Sequence, residues 1–413
     1  MFYILRPNVY LVKGNARACI YDFNLSKLYS INNALAQKIE LSSCGEISLE
    51  TIEADLQEIF EEFYNVGIME LSENPISRSI SEISDTDDSC KFAWIEITNR
   101  CNLRCRHCYN ESAPHHGSVM SLHNFKLAVD RILKLGVPKI QIIGGEPFFE
   151  QQLLKPMLDY AVGKFHAIEI FTNGTLITQE WIDYLRKNKI HLALSVYSYE
   201  KKTHDEITGC NGSWQKTNQT IAALQNSGIP YRVCNVLMKD AEIGNKCTDL
   251  YTLSPDKDVV RMSGRANFSL LSDELIKKRL ITKASFQNPI SKRFCSMLVS
   301  GHNCFRSRFY VSADMIVYPC VMERRFRHCT ISNNGDIILK ESIRHFNKDC
   351  VHECCQCEYR YACFDCRPDS LDENIREKPW YCTYKPLIGE WENEDQFIQK
   401  LRLKWENTSD QQC

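Results

Sequence analysis

Nowhere in this chain does an apolar run approach the roughly 18 residues that a membrane-spanning helix needs, so no membrane partner is expected. The N-terminus, Met1-Phe2-Tyr3-Ile4-Leu5-Arg6, lacks the basic-then-apolar order of a secretory signal, which leaves the cytoplasm as the expected compartment. Charge of one sign is missing as well: 50 Lys and Arg against 52 Asp and Glu leave a formal net charge of −2, and nothing asks for a nucleic-acid partner. Internal repeats are absent. The 44% hydrophobic and 25% charged residues are those of a globular protein, and 413 residues suggest about two to four domains. Cysteine is what stands in excess. A reducing compartment disfavours structural disulfides, so 21 cysteines point toward metal, and their spacing must decide.

Along the chain, Val9-Tyr10-Leu11-Val12 and Ala18-Cys19-Ile20-Tyr21 flank Lys13-Gly14-Asn15, the pattern of a hairpin. Helical patterns run from Ile31 to Ile39 and, opened by Ser48, from Leu49 to Tyr64, before a short stretch Ile68–Leu71. Residues 1–74 therefore read as a small winged-helix-like module. The polar stretch that follows reads as a linker over 75–90, with too few apolar residues to build an element. Short apolar runs at 93–97, 139–143, 167–171, 191–196 and 231–236 then alternate with helical segments, which predicts an α/β region with a parallel sheet, open or curled into part of a barrel, over 91–285. Over 286–413 periodicity fades and cysteines crowd in, as expected of a domain organised by metal more than by apolar burial.

Directly after the first of these strands stands Cys101-Asn102-Leu103-Arg104-Cys105-Arg106-His107-Cys108. Three thiolates hold three irons of a [4Fe–4S] cube, and the missing fourth ligand leaves one iron open to chelate the amino and carboxylate groups of S-adenosylmethionine (SAM). A Cys3His zinc site using His107 is the competing reading. The spacing resembles the signature of the radical SAM superfamily, whose members place it after the first strand of a partial (β/α)6 barrel. The resemblance implies that Cys101, Cys105 and Cys108 bind the catalytic cluster and that His107 lies near the SAM adenine. Gly144-Gly145-Glu146-Pro147, ending the second strand, resembles the family's motif for the SAM amino group: glycines let backbone approach a ligand, and Glu146 adds negative charge toward an ammonium. Ser195 ends the fourth strand, where relatives bond the ribose, although Tyr197, Ser198 and Thr208 replace residues usual nearby. Thr172-Asn173-Gly174-Thr175 resembles another common segment and also reads as an ordinary turn.

Farther on come Cys295-x8-Cys304-x15-Cys320, Cys354-x2-Cys357-x5-Cys363-x2-Cys366 and Cys382. This stretch resembles the SPASM domain, which carries auxiliary [4Fe–4S] clusters in peptide-modifying relatives. Carried over by order, the resemblance implies one set of Cys295, Cys304, Cys320 and Cys366 and another of Cys354, Cys357, Cys363 and Cys382. Met315 stands where the family commonly has glycine, and the last pair has two intervening residues in place of three. Cys355 competes with Cys354, a zinc ribbon over 354–382 competes with the second cluster, and Cys329, Cys350 and Cys413 are left over.

The segment Phe2–Gly14 with its following helices resembles PqqD-like domains, which bind the leader of a ribosomally made precursor peptide as an added strand. Together these resemblances imply an enzyme that abstracts hydrogen from a core peptide and closes a thioether or carbon–carbon crosslink, drawing electrons from a donor such as flavodoxin or ferredoxin. Peptide epimerisation and sulfatase-maturase-like oxidation of a protein Cys or Ser are alternatives; for the latter, Val321 replaces the Asp those enzymes carry after the second motif cysteine. A non-catalytic, metal-stabilised adaptor is a reading of another class.

Overall fold

The structure, a computed structural model, describes residues 1–115, 117–239, 241, 256–302, 304–369 and 374–409, so Cys413 lies outside the described residues. The chain opens with strands β1 (Phe2–Leu5), β2 (Val9–Lys13), β3 (Arg17–Asp22) and β4 (Lys27–Asn32), helices α1 (Asn33–Ser43) and α2 (Ala54–Asn65), and β5 (Met69–Ser72). The strands β2, β3 and β4 form an antiparallel meander, and β5 returns to pair with β1. Ile31, expected in a helix, instead pairs with Ala18 on β3. The helix begins only after Asn32, whose side chain caps it by accepting the Leu35 N–H at 2.7 Å. Likewise Ser48 caps a single turn, and α2 starts at Ala54.

The expected linker contains an element. Ser79 and Glu82 close a capping box around the short 3₁₀ turn Ile80–Ile83. Ile80 and Ile83 are buried with Tyr10 and Tyr21 of the N-terminal sheet, so two isoleucines three apart suffice to pin the segment. Farther along, Asp85 and Asp88 pair with Arg306.

Six parallel strands follow in chain order: β6 (Phe92–Glu96), β7 (Lys139–Ile143), β8 (Ala167–Thr172), β9 (His191–Ser195), β10 (Tyr231–Leu237) and β11 (Asp256–Val259). Between them lie α3 (Leu122–Lys134), α4 (Gln151–Ala161), α5 (Gln179–Lys187), α6 (Lys201–Thr208) and α7 (Ser213–Gln225). Alternate strand residues such as Ile95, Ile140, Ile142, Ile170, Leu192 and Val233 are buried in one core with Phe125, Val129, Leu158 and Leu185 of the helices. The opposite strand face carries Trp94, Gln141, Phe171, Ser195, Cys234 and Asp258, and all six line one cavity. A single cavity bordered by every strand of a sequentially ordered sheet requires that the sheet curl into a partial barrel.

The region beyond 285 is not organised by its cysteines alone. Strand β12 (Arg308–Val311) adds in parallel to the free edge of β6, and the hairpin β13 (Ile316–Tyr318) and β14 (Cys329–Thr330) continues the sheet. Phe309, Val311, Met315, Val317 and Ile337 join the barrel's own apolar core. Met315, in the turn before β13, has φ +66°, a left-handed conformation, which accounts physically for the glycine usual at this point. A second weld joins the N-terminal sheet to the loop around Cys357. The Tyr21 hydroxyl donates to the Glu358 carbonyl at 2.9 Å, Asn15 N–H to the Gln356 carbonyl at 2.8 Å, and Arg360 to the Lys13 carbonyl at 2.7 Å.

Candidate active site

The loop after β6 carries Cys101, Cys105 and Cys108, and three neighbours hold it. Arg104 and Arg106 donate backbone N–H groups to the carbonyls of Thr208 and Ile207 at 2.9 and 3.0 Å, tying the loop to the end of α6. Gly145 and Glu146 donate theirs to Thr98 and Arg100 at 2.7 and 2.8 Å. A Cβ on Gly144 would stand 2.5 Å from the Thr98 carbonyl oxygen, and one on Gly145 2.1 Å from that of Arg100, so the glycine pair lets the two loops close on each other. The third hold is Arg265, which donates to the carbonyls of Cys105 and Ser112 at 2.9 and 3.0 Å. Beside it Gly264 has φ +57° and would place a Cβ 2.3 Å from the Cys108 carbonyl oxygen.

Cys101, Cys105, Cys108, His107, Gly144, Gly145 and Ser195 all border one cavity of about 300 Å³. Glu146 does not. It is fully buried beneath the wall, where its carboxylate accepts from the Thr172 hydroxyl at 2.7 Å, the Asn173 N–H at 2.7 Å and the Phe148 N–H at 3.1 Å. Burial pushes its pKa up to about 7. The structure thus gives Glu146 the part of a brace between the second and third strand ends, in place of the expected direct charge toward a ligand. Through that brace Thr172–Thr175 becomes part of the site: the Asn173 amide donates to Asn102 at 3.0 Å and reaches the Cys101 sulfur at 3.8 Å. The four-residue motif was the available signal for Asn173. Ser263-Gly264-Arg265 offered none beyond a lone glycine.

His107 packs edge-on to Tyr197 with ring centroids 4.5 Å apart, and burial holds its pKa down to about 4. Its Nδ1 is buried without a hydrogen-bond partner among the described residues, the condition of an atom awaiting a polar ligand. The Ser195 hydroxyl bonds the phenol of Tyr197, itself a wall of the cavity.

Burial, with added repulsion from Glu146 and Cys108, raises the Cys101 thiol to about 12, and burial raises Cys105 further. Such thiols ionise only against a cation, as metal ligation requires. The thiols of Cys101, Cys105 and Cys108 interact electrostatically. Bound at that loop, an iron–sulfur cube with SAM supplies a carbon radical; the residues above hold the loop and wall off the cavity.

The distal cysteines separate into two groups. Cys354, Cys357, Cys363 and Cys382 frame one small cavity with Phe286, Tyr359 and Tyr384, and Cys355 takes no part in its wall. Cys304, Cys320 and Cys366 feel each other's charge and lie near the barrel mouth, where Val321 and Met322 line the active-site cavity. Cys295, expected as their fourth member, is elsewhere. It lies on the buried face of the helix Lys292–Ser300, fully enclosed with Tyr10, Cys19, Tyr21 and Tyr361, and its thiol is raised by burial alone. Spacing along a chain does not encode which way a helix face points.

Comparison with known proteins finds likenesses over parts of the chain. Residues 95–240 match the Radical SAM superfamily. Among curated proteins it is 38% identical over 143 residues to the antilisterial bacteriocin subtilosin biosynthesis protein AlbA of Bacillus subtilis, covering 34% of this chain and 32% of that one. It is 25% identical over 227 residues to the sporulation killing factor maturation protein SkfB of the same species, covering 54% of this chain and 53% of the relative. The chain thus spans between a third and about half of these relatives' lengths. Among solved structures, Streptococcus suis SuiB bound to its precursor peptide SuiA superposes with a TM-score of 0.53 at 15% identity, covering 89% of this chain and 96% of SuiB, a likeness of fold. Among the described residues no helix is long and apolar enough to cross a membrane.

Proposed function

We propose that this chain is a radical SAM enzyme that modifies a ribosomally made precursor peptide, closing a thioether or carbon–carbon crosslink. The observation that carries the reading is the convergence of Cys101, Cys105, Cys108, Gly144, Gly145 and Ser195 on one cavity bordered by all six barrel strands. In this reading Cys101, Cys105 and Cys108 hold the cluster, the glycine pair and Ser195 position SAM, and His107 offers its unpaired Nδ1 to the adenine. With cluster and SAM bound, that site would supply a carbon radical to take a hydrogen atom from the core peptide, and closure of the crosslink would release a proton and an electron, the electron to be taken up by a cluster held at the distal cysteines. Residues 1–74 bind the leader, with the edge strand β4 as the pairing site, and a flavodoxin or ferredoxin supplies reducing electrons. Residues 91–285 form the catalytic barrel and 286–413 the auxiliary-cluster domain.

The similarity to AlbA and SkfB, proteins of bacteriocin biosynthesis and killing-factor maturation, supports a peptide substrate. Val321 and Met322 put apolar side chains in the cavity wall where a sulfatase-maturase-like oxidation calls for an acid, which weighs against that alternative. One observation favours epimerisation as a second reading: Cys234 places a thiol in the same wall, able to return a hydrogen atom to a carbon radical. Co-expression with the small open reading frame beside this gene, followed by mass spectrometry, separates the two. Crosslinking removes two hydrogens per event, epimerisation leaves the mass unchanged, and an unmodified, unepimerised peptide overturns both.

A further inference from the structure

The second distal thiol group has an unassigned cationic neighbour. Lys348 is about 5% exposed and borders the cavity framed by Cys354, Cys357, Cys363 and Cys382. Among the described residues its anionic contact is Asp365 at 2.8 Å, yet its ammonium lacks a well-directed hydrogen bond to any of their acceptors. Asp365 is shared: it also pairs with the buried Arg367, whose Nη1 is occupied by the carbonyls of Ile375 and Glu377 at 3.1 and 3.0 Å. His302 completes the group, donating from Nε2 to the Asp365 carbonyl at 2.9 Å, and burial keeps it neutral.

Among the described residues two cations therefore face one carboxylate on the side of Cys354 and Cys363, and Lys348 is the charge that most offsets burial at both thiols. The other charges around the cavity are matched or lie opposite. Lys378 donates to the Tyr384 carbonyl at 2.6 Å and meets Glu353 at 3.4 Å. Glu358 stands beside Cys357 and accepts the Tyr384 hydroxyl at 2.6 Å. A buried ammonium with unspent donors is destabilising unless negative charge receives them. Neutral thiols cannot supply that charge; cluster-bound thiolates can.

We propose that Lys348 tunes this auxiliary centre, directing its ammonium toward the sulfurs of Cys354 and Cys363 and raising the reduction potential, with Asp365 setting how much of that charge is felt. The proposal rests on the reading that these four cysteines hold a [4Fe–4S] cube. One-electron reduction adds a negative charge to the cube, and a cation held against it in a low-dielectric setting favours the reduced form.

The test is an anaerobic redox titration of the reconstituted full-length protein followed by EPR, with the relevant signal identified by its loss in Cys357→Ala. Lys348→Met is expected to keep its iron and lower the midpoint so that the oxidised-to-reduced ratio at fixed potential rises at least tenfold, 59 mV for one electron. Lys348→Arg restores the wild-type value, and Asp365→Asn shifts the midpoint the opposite way. Midpoints that stay put, or that move in the same direction in Lys348→Met and Asp365→Asn, overturn the proposal; if Lys348→Met loses iron, an unchanged midpoint in Asp365→Asn does so. Full wild-type iron in Cys357→Ala would sink the underlying cluster reading.

Discussion

Glu146 accepts the backbone N–H of Asn173 at 2.7 Å, so the second and third strand ends of the barrel are fastened below the cavity floor. Glutamine at 146 keeps one carbonyl oxygen for three donors and turns an NH2 toward at least one of them. Glu146→Gln is expected to cost about 1–3 kcal/mol in chemical denaturation, the price of a buried donor left unpaired. SAM affinity should fall with it, because Asn173 holds Asn102 and reaches Cys101. Equilibrium dialysis with SAM checks the second point.

Cys105→Ala is expected to remove the iron of one cube and abolish reductant-dependent 5′-deoxyadenosine, while iron at the distal thiols persists. Iron analysis and chromatography of the anaerobic reaction read both quantities.

Cys295 and Cys366 give opposite expectations. Cys366 interacts with Cys320 and Cys304, so Cys366→Ala should lose about one cube of iron. Cys295→Ala should retain full iron and lose only stability, about 1 kcal/mol or more for a small cavity in a packed core. Equal iron loss in both variants would restore Cys295 as a ligand.

Gly264→Ala forces a Cβ toward the Cys108 carbonyl at a positive φ. The expected result is a destabilised cluster loop, seen as faster cluster loss in air and weaker SAM binding, with the distal clusters unaffected. EPR after timed oxygen exposure follows each centre.

Acid should destabilise the chain partly through His328. Its Nδ1 accepts the Lys340 N–H at 3.0 Å, leaving the proton on a buried, unpartnered Nε2, and burial holds its pKa down to about 4 from 6.5. The unfolded chain takes up the proton first, so this stability is present above pH 6.5 and is lost as pH falls toward 4, at up to roughly 1.4 kcal/mol per pH unit. His328→Gln keeps an acceptor and cannot charge; urea unfolding at stepped pH should show a shallower acid slope than wild type.

The barrel strands were legible because each is a short apolar run whose ends are marked by polar or glycine residues, and the run Lys139–Ile143 coincides with β7. The thiols of the first loop were legible because they lie within eight residues of one another. What escaped depends on contacts distant in sequence. Ile80 and Ile83 are two apolar residues in a polar stretch, and only the N-terminal sheet makes them an element. Strand β12 falls where periodicity fades, and the free edge of β6 makes it a strand. Glu146 looked like a ligand group because sequence shows its charge and not the three donors that consume it.

The hairpin turn at Lys13–Arg17 grips the peptide bonds on either side of Cys357, with no room for a Cβ at Gly14, where the Gln356 oxygen would lie 2.6 Å away. The N-terminal sheet is consequently riveted over the distal thiols. Trimming the first 74 residues to simplify production would expose them to air and water, and a shortened protein poor in iron would report the missing cover and say nothing about peptide recognition.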